Sequence, residues 1–163
     1  MRLNDFIKGC LFLLGAYLLP TLKAYSQDKE IPQDFYKASA IPDSLKEDAN
    51  SVIRYSSDEV KIKEPGKAII KHHSLITILN EKGDKDAVIV FSYNKKFDTY
   101  SNIDVRVYDE AGKVIKKYHK SDMYDGASSS DETLVSDDRF LGLKHTVSHY
   151  PETIEVSYEE DLN

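Results

Sequence analysis

The residues best equipped for chemistry in this 163-residue chain are five histidines, a serine-rich loop and a dense run of carboxylates. His72 and His73 are neighbours in a segment that reads as a strand. Successive strand side chains point to opposite faces, so the two cannot ligate one ion without a bulge. His145 and His149 are four apart, but in a β-type rather than a helical segment, so helical ligand spacing does not apply. His119 stands alone near a strand end. All five read as surface or edge-strand histidines. No G-x-S-x-G elbow is present, and Ser128, Ser129 and Ser130 lie in a small-residue loop rather than on a rigid turn, which argues against a preorganised serine nucleophile. Carboxylates at Asp122, Asp125, Asp131, Glu132, Asp137 and Asp138 lack the glycine-centred spacing of a calcium loop and read as a solvated acidic segment. Within it, Asp137, Asp138 and Arg139 read as a local ion pair of small worth when exposed. No catalytic, cofactor-binding or metal-ligating residue is assigned, and no cofactor is implied.

The one cysteine, Cys10, decides more. Arg2 and Lys8 precede an apolar run from Cys10 to Leu19, Pro20 breaks it, and Ala24-Tyr25-Ser26 presents small residues where a signal peptidase reads them. Residues 1–26 therefore read as a signal peptide cleaved before Gln27, and the protein is expected to be exported, periplasmic or extracellular. The run falls far short of the ~20 apolar residues of a membrane span. Cys10 opens the run instead of following it, which excludes a lipid anchor. A mature chain without cysteine has no disulfide, no thiolate nucleophile and no cysteine metal site.

The chain carries 22 basic and 28 acidic side chains; loss of residues 1–26 leaves 19 and 27. A net acidic surface argues against nucleic acid and against electrostatic docking to anionic lipid as partners.

Residues 27–40 read as a linker. Residues 41–49 read as one short helix, with Pro42 in its first turn and Asp43 favouring its N-terminal end. Short strands follow: 52–63, a turn at 64–67, 68–80, a turn at 80–84, then 87–93, whose Val88-Ile89-Val90-Phe91 run reads as a central strand apolar on both faces. In 101–108, Ile103, Val105 and Val107 alternate with Asn102, Asp104, Arg106 and Tyr108. A hairpin turn at 109–113 leads to 114–119, and Ser121-Asp122-Met123 to a helical turn. Tyr124 to Thr133 reads as a loop, with last strands at 140–147 and 153–158, the latter entered through Tyr150-Pro151. About seven locally connected strands without βαβ spacing predict a mainly β fold: an antiparallel β-sandwich or a strongly bent sheet, with one short N-terminal helix.

The ordered succession IPDSLKEDANSVIR (41–54), TILNEKG (77–83), VYDEAGKVIKK (107–117), SDMYD (121–125), LVSDDR (134–139) and YPETIEV (150–156) resembles a domain of unknown function. In many exported proteins of Gram-negative bacteria that domain precedes a transglutaminase-like, papain-related domain. The resemblance covers residues 38–160. It implies a β-rich accessory domain over 41–163, non-enzymatic, with no catalytic residues to carry over and a transglutaminase-like domain as partner in longer relatives. The catalytic domain's Cys, His and Asp do not follow within this chain, so the resemblance implies a domain short or truncated at its C-terminus. Two other readings stand beside it. One is an envelope glycan- or peptide-binding module using Tyr93, Tyr100, Tyr108, Tyr118 and Tyr124, if these cluster on one exposed face. The other is an inactive fragment of a longer transglutaminase-like or cysteine-protease-like protein.

Overall fold

A computed structural model of the protein describes residues 30–128 and 137–163. The signal-peptide reading, Ser129, Ser130, Asp131 and Glu132 fall outside the described residues.

Among the described residues, eight strands form two antiparallel sheets: β1 (Ser51–Glu64), β2 (Lys67–Ile78), β3 (Val88–Asn94), β4 (Asp98–Tyr108), β5 (Val114–His119), β6 (Tyr124–Ala127), β7 (Asp138–Lys144) and β8 (Glu152–Leu162). The larger sheet runs β1-β2-β8-β4-β5 and the smaller β3-β7-β6. The mainly β, sandwich-like expectation holds. The eighth strand is β6, which lies where the sequence reads as a loop: Tyr124-Asp125-Gly126-Ala127 has no hydrophobic alternation, yet it pairs with Arg139–Gly142 of β7.

Local chemistry explains the connections. Pro65-Gly66 joins β1 to β2, with Gly66 at φ 83°, a conformation an L side chain resists. At 81–87 the expected turn is instead a 3₁₀ helix, entered by Asn80, whose side chain accepts from the Lys82 amide. Gly83 lies so close to the Asn50 carbonyl that a Cβ there would sit 2.3 Å from its oxygen. The expected helix over 41–49 shrinks to α1 (Asp43–Lys46), with Pro42 as its N-cap. Asp48 at φ 57° shows the chain already turned out of the helical path toward β1.

The core lies between the sheets. One face of the larger sheet supplies Ile78, Tyr100, Ile103, Val105, Val107 and Ile154; the smaller supplies Phe91, Leu141 and Leu143. Ile103, Val105 and Val107 point inward together, as their alternation predicts, and Ile154, Val156 and Tyr158 do likewise. A bulge between Ser101 and Asp104, with Asn102 at φ 52°, returns Tyr100 to the same face. The Val88–Phe91 run is not central. Among the described residues β3 pairs with β7 alone and is an edge strand, with Val88 and Val90 44% and 55% exposed. An unbroken apolar run does not distinguish a strand covered on both faces from an edge strand carrying a surface patch.

The opposite face of the larger sheet is also covered. Residues 31–41, through two 3₁₀ turns at Gln33–Tyr36 and Ala38–Ala40, bury Ile31, Ala38 and Ile41. Leu75 and Thr77 on that face of β2 are fully buried.

Leu141→Ala and Ile154→Ala are each expected to lower stability by about 2–5 kcal/mol, and exposed Val90→Ala by less than about 1 kcal/mol. Urea unfolding of the three variants checks this; equal losses would contradict the location of the core.

Candidate functional site

Chemically competent side chains converge on β8. This strand pairs with β2 on one side and β4 on the other, and residues 152–155 are all buried. Two of them are glutamates on opposite faces.

Glu155 faces the N-terminal cover. Its Oε1 accepts from the Tyr36 hydroxyl at 3.0 Å and lies 2.8 Å from His73 Nε2. Its Oε2 accepts from the Tyr108 hydroxyl at 2.5 Å, with Arg106 Nη1 at 3.9 Å. Burial pushes this carboxyl up, but hydrogen bonds from Tyr108, His73 and Tyr36 outweigh burial and hold it below the ordinary range. Burial and the Glu155 charge drive the Tyr108 phenol far above its usual value, so it stays a neutral donor. Arg106 pairs with Asp104 at 2.6 Å through Nη2, and its buried Nε has no hydrogen-bond partner among the described residues.

Glu152, fully buried at the start of β8, takes His145 Nε2 at 2.7 Å on Oε2. Its Oε1 takes the Ser148 and His149 backbone N–H groups, each at 3.2 Å, and the Ser148 hydroxyl at 3.1 Å. Burial again opposes ionisation. The His145 bond and the two backbone donors prevail, and this carboxyl too lies below the ordinary range. An ionised carboxylate only accepts, so His145 Nε2 carries the proton facing it, and on the other side of the ring Nδ1 lies 2.9 Å from the Tyr118 hydroxyl. The order hydroxyl, imidazole, carboxylate is that of a proton relay, but the Tyr118 phenol is raised by burial and by the charges of Glu152 and Asp122. That is opposite to the activation a nucleophile needs.

His145 is therefore buried, not the surface histidine its β-type segment suggests. His149 is exposed, and the structure does not join the two at one ion. His72 and His73 do face opposite sides: His72 bonds Asp58 at 2.6 Å and stacks on Tyr158, and His73 reaches Glu155. His119 stands 3.8 Å from Asp104. The Ser148 hydroxyl donates to Glu152 Oε1 at 3.1 Å and lies 3.3 Å from His149 Nδ1. Arg139 pairs with Asp125 across the β6–β7 ladder at 2.7 Å, not with its chain neighbours; Asp137 bonds Lys96, and Asp138 accepts from Asn94. Among the described residues no group of three or more His, Cys, Asp or Glu side chains could hold a metal ion. An open polar groove of about 360 Å³ beside Tyr93, Asn94, Asp98 and Arg139 is lined by groups already bonded to one another.

The five tyrosines do not form one platform. Tyr100 and Tyr108 are buried, Tyr93 and Tyr118 pack against the core, and Tyr124 alone is largely exposed, its ring 5.7 Å from Phe140 on the outer face of the smaller sheet.

The described residues thus form an eight-stranded, two-sheet antiparallel domain whose buried acids bind its own segments. The chain belongs to the family described as a domain of unknown function with solved structures, DUF3857, which matches residues 64–162, well over half its length. A crystal structure described as "a putative protease from Parabacteroides distasonis ATCC 8503" has the same fold, with a TM-score of 0.61 at 13% identity. The likeness covers 70% of this chain but only 23% of that one. No curated protein matches.

Both carboxyls titrate lower in the folded state than in the unfolded chain. Their stabilisation is therefore complete above the unfolded value near 4.5 and is lost as pH falls through the lower folded values. Glu152→Gln and Glu155→Gln are each expected to destabilise the protein at pH 7 and to flatten the decline in stability below about pH 4.5, as read by thermal unfolding against pH. An unchanged slope in both variants would remove the two glutamates from the acid response.

Proposed function

We propose that this domain is a non-catalytic accessory module, of the kind that stands N-terminal to a transglutaminase-like domain in longer exported proteins, and that it works by presenting surfaces to other protein. The observation that carries the reading is how the acid-base groups are used. Glu152, Glu155, His73, His145 and Ser148 all point at one another or at the chain's own backbone, and the phenols beside them are raised, not activated. The ordered motif succession supports it, as does a likeness that covers about a quarter of a longer chain. Export follows from the reading of residues 1–26.

A second reading, a peptide- or glycan-binding module, is favoured by one observation. Tyr124 and Phe140 lie beside the exposed Val88 and Val90 on the outer face of the smaller sheet. Burial of Tyr100 and Tyr108 counts against the broader tyrosine platform.

Purified protein is expected to show neither peptide hydrolysis nor amine-to-acyl transfer. Activity that falls in Glu152→Gln or His145→Asn would overturn the accessory reading. Fractionation of expressing cells with N-terminal sequencing is expected to give an exported chain starting at Gln27, and a cytoplasmic chain retaining Met1 would refute export.

A further inference from the structure

The N-terminal cover is held the way a bound peptide is held. Among the described residues, one backbone hydrogen bond joins residues 31–41 to the rest of the domain, from the Ala38 N–H to the Glu110 carbonyl at 3.0 Å. The segment adds no strand to the larger sheet and folds on itself in its two 3₁₀ turns. Side chains supply the rest of the hold. Arg54 of β1 donates through Nη1 to the Lys37 carbonyl at 3.0 Å and through Nη2 to the Asp34 carbonyl at 3.1 Å, with its guanidinium 5.7 Å from the centre of the Phe35 ring. The Tyr36 ring lies 4.6 Å from that of Tyr108, and its hydroxyl donates to Glu155 Oε1 at 3.0 Å. Ile31, Ala38 and Ile41 are the buried apolar anchors. An arginine fork on main-chain carbonyls, a carbonyl on a main-chain amide and a carboxylate on a phenol are the elements of peptide recognition.

The surface beneath is complete without the cover. When Tyr36 is taken away, Glu155 keeps the Tyr108 hydroxyl on Oε2 and His73 Nε2 on Oε1. A carboxylate paired in this way stays in place in an empty groove, whereas one that relied on the cover would be left without donors. The Thr77 and Thr153 hydroxyls bond each other at 2.8 Å. Leu75 gives the same face a buried apolar floor. Leu75, Tyr108, Thr153 and Glu155 lie inside residues 64–162, the stretch that matches the family; residues 31–41 and Arg54 lie before it.

We propose that the face of the larger sheet beneath residues 31–41 is a peptide-binding groove filled by the cover, and that its partner is a protein segment of the same chemistry: a tyrosine whose hydroxyl reaches Glu155, a small residue two positions on, and an apolar residue three beyond that. The tethered cover competes as an intramolecular ligand, so the partner binds by displacing it. The proposal rests on the accessory reading, for which it names one presented surface and what fits there.

A fluorescein-labelled synthetic peptide of residues 30–41 is the probe, read by fluorescence anisotropy on the full chain. Tyr36→Phe keeps the ring and removes the hydroxyl from the cover alone, so it loosens the tethered occupant and leaves the groove as it was. Circular dichroism checks its fold. The variant is expected to bind the probe about tenfold more tightly than the parent does. A probe that itself carries Tyr36→Phe is expected to bind that variant about tenfold more weakly. In native-state hydrogen exchange of the parent, the Ala38 amide is expected to open with little dependence on urea, and the Ile154 and Val156 amides of β8 with a steep one. A Tyr36→Phe chain that binds no more tightly than the parent, a phenylalanine probe that binds as well as the tyrosine one, or an Ala38 amide with the urea dependence of β8 would each overturn the proposal. Peptide hydrolysis or acyl transfer by the purified protein would end the accessory reading and leave these titrations unchanged, so the two fail separately.

Discussion

Two ionised carboxylates are held inside the middle strand of the larger sheet, and the rest of the molecule is arranged to satisfy them. A buried, unpaired carboxylate costs several kcal/mol, so each must be surrounded by donors for the strand to occupy that position. Glu155 draws in one segment from each neighbour: Tyr36 from the N-terminal cover, His73 from β2 and Tyr108 from β4. Glu152 gathers the connection before its own strand, through His145 and the Ser148 and His149 amides. Apolar packing between the sheets supplies the bulk of the stabilisation, but it is indifferent to small shifts. The two glutamates fix which segment lies against which.

This arrangement separates residues that look catalytic from residues that act catalytically. A histidine between a carboxylate and a hydroxyl is the outline of a relay. Here the hydroxyl is a phenol made less acidic by its surroundings, and its bond to the imidazole is spent closing the gap between β5 and the segment after β7. The same groups in an open cleft would be read as machinery. What separates the two readings is the direction in which the environment moves each proton.

Much of the architecture was legible because it rests on local rules. Alternation at Ile103, Val105 and Val107, the Pro65-Gly66 turn and the Asp109–Lys113 hairpin each depend on a few adjacent residues, and each is found where the pattern puts it. The failures are non-local. β6 exists only because β7 lies beside it. β3 looks central but lies at an edge, a matter of sheet order that periodicity does not encode. Glu155 lies between the in-phase Ile154 and Val156 and so falls on the other face of β8; residues 31–41, more than a hundred positions earlier, turn that face into an interior. His145 is hidden in the same way, by Glu152 and a phenol from another hairpin. No signal within a short window would have found these two clusters.

The sheet order has a consequence for how the protein comes into being. β8, the last of the described strands in chain order, is the third of five in space, between β2 and β4. The β1–β2 and β4–β5 hairpins can each form as soon as they leave the ribosome, but no strand joins them until residues 152–162 have been synthesised. From the emergence of β5 until residues 152–162 follow, the nascent chain therefore holds two half-sheets with unfilled inner edges, which β8 joins into a continuous sheet.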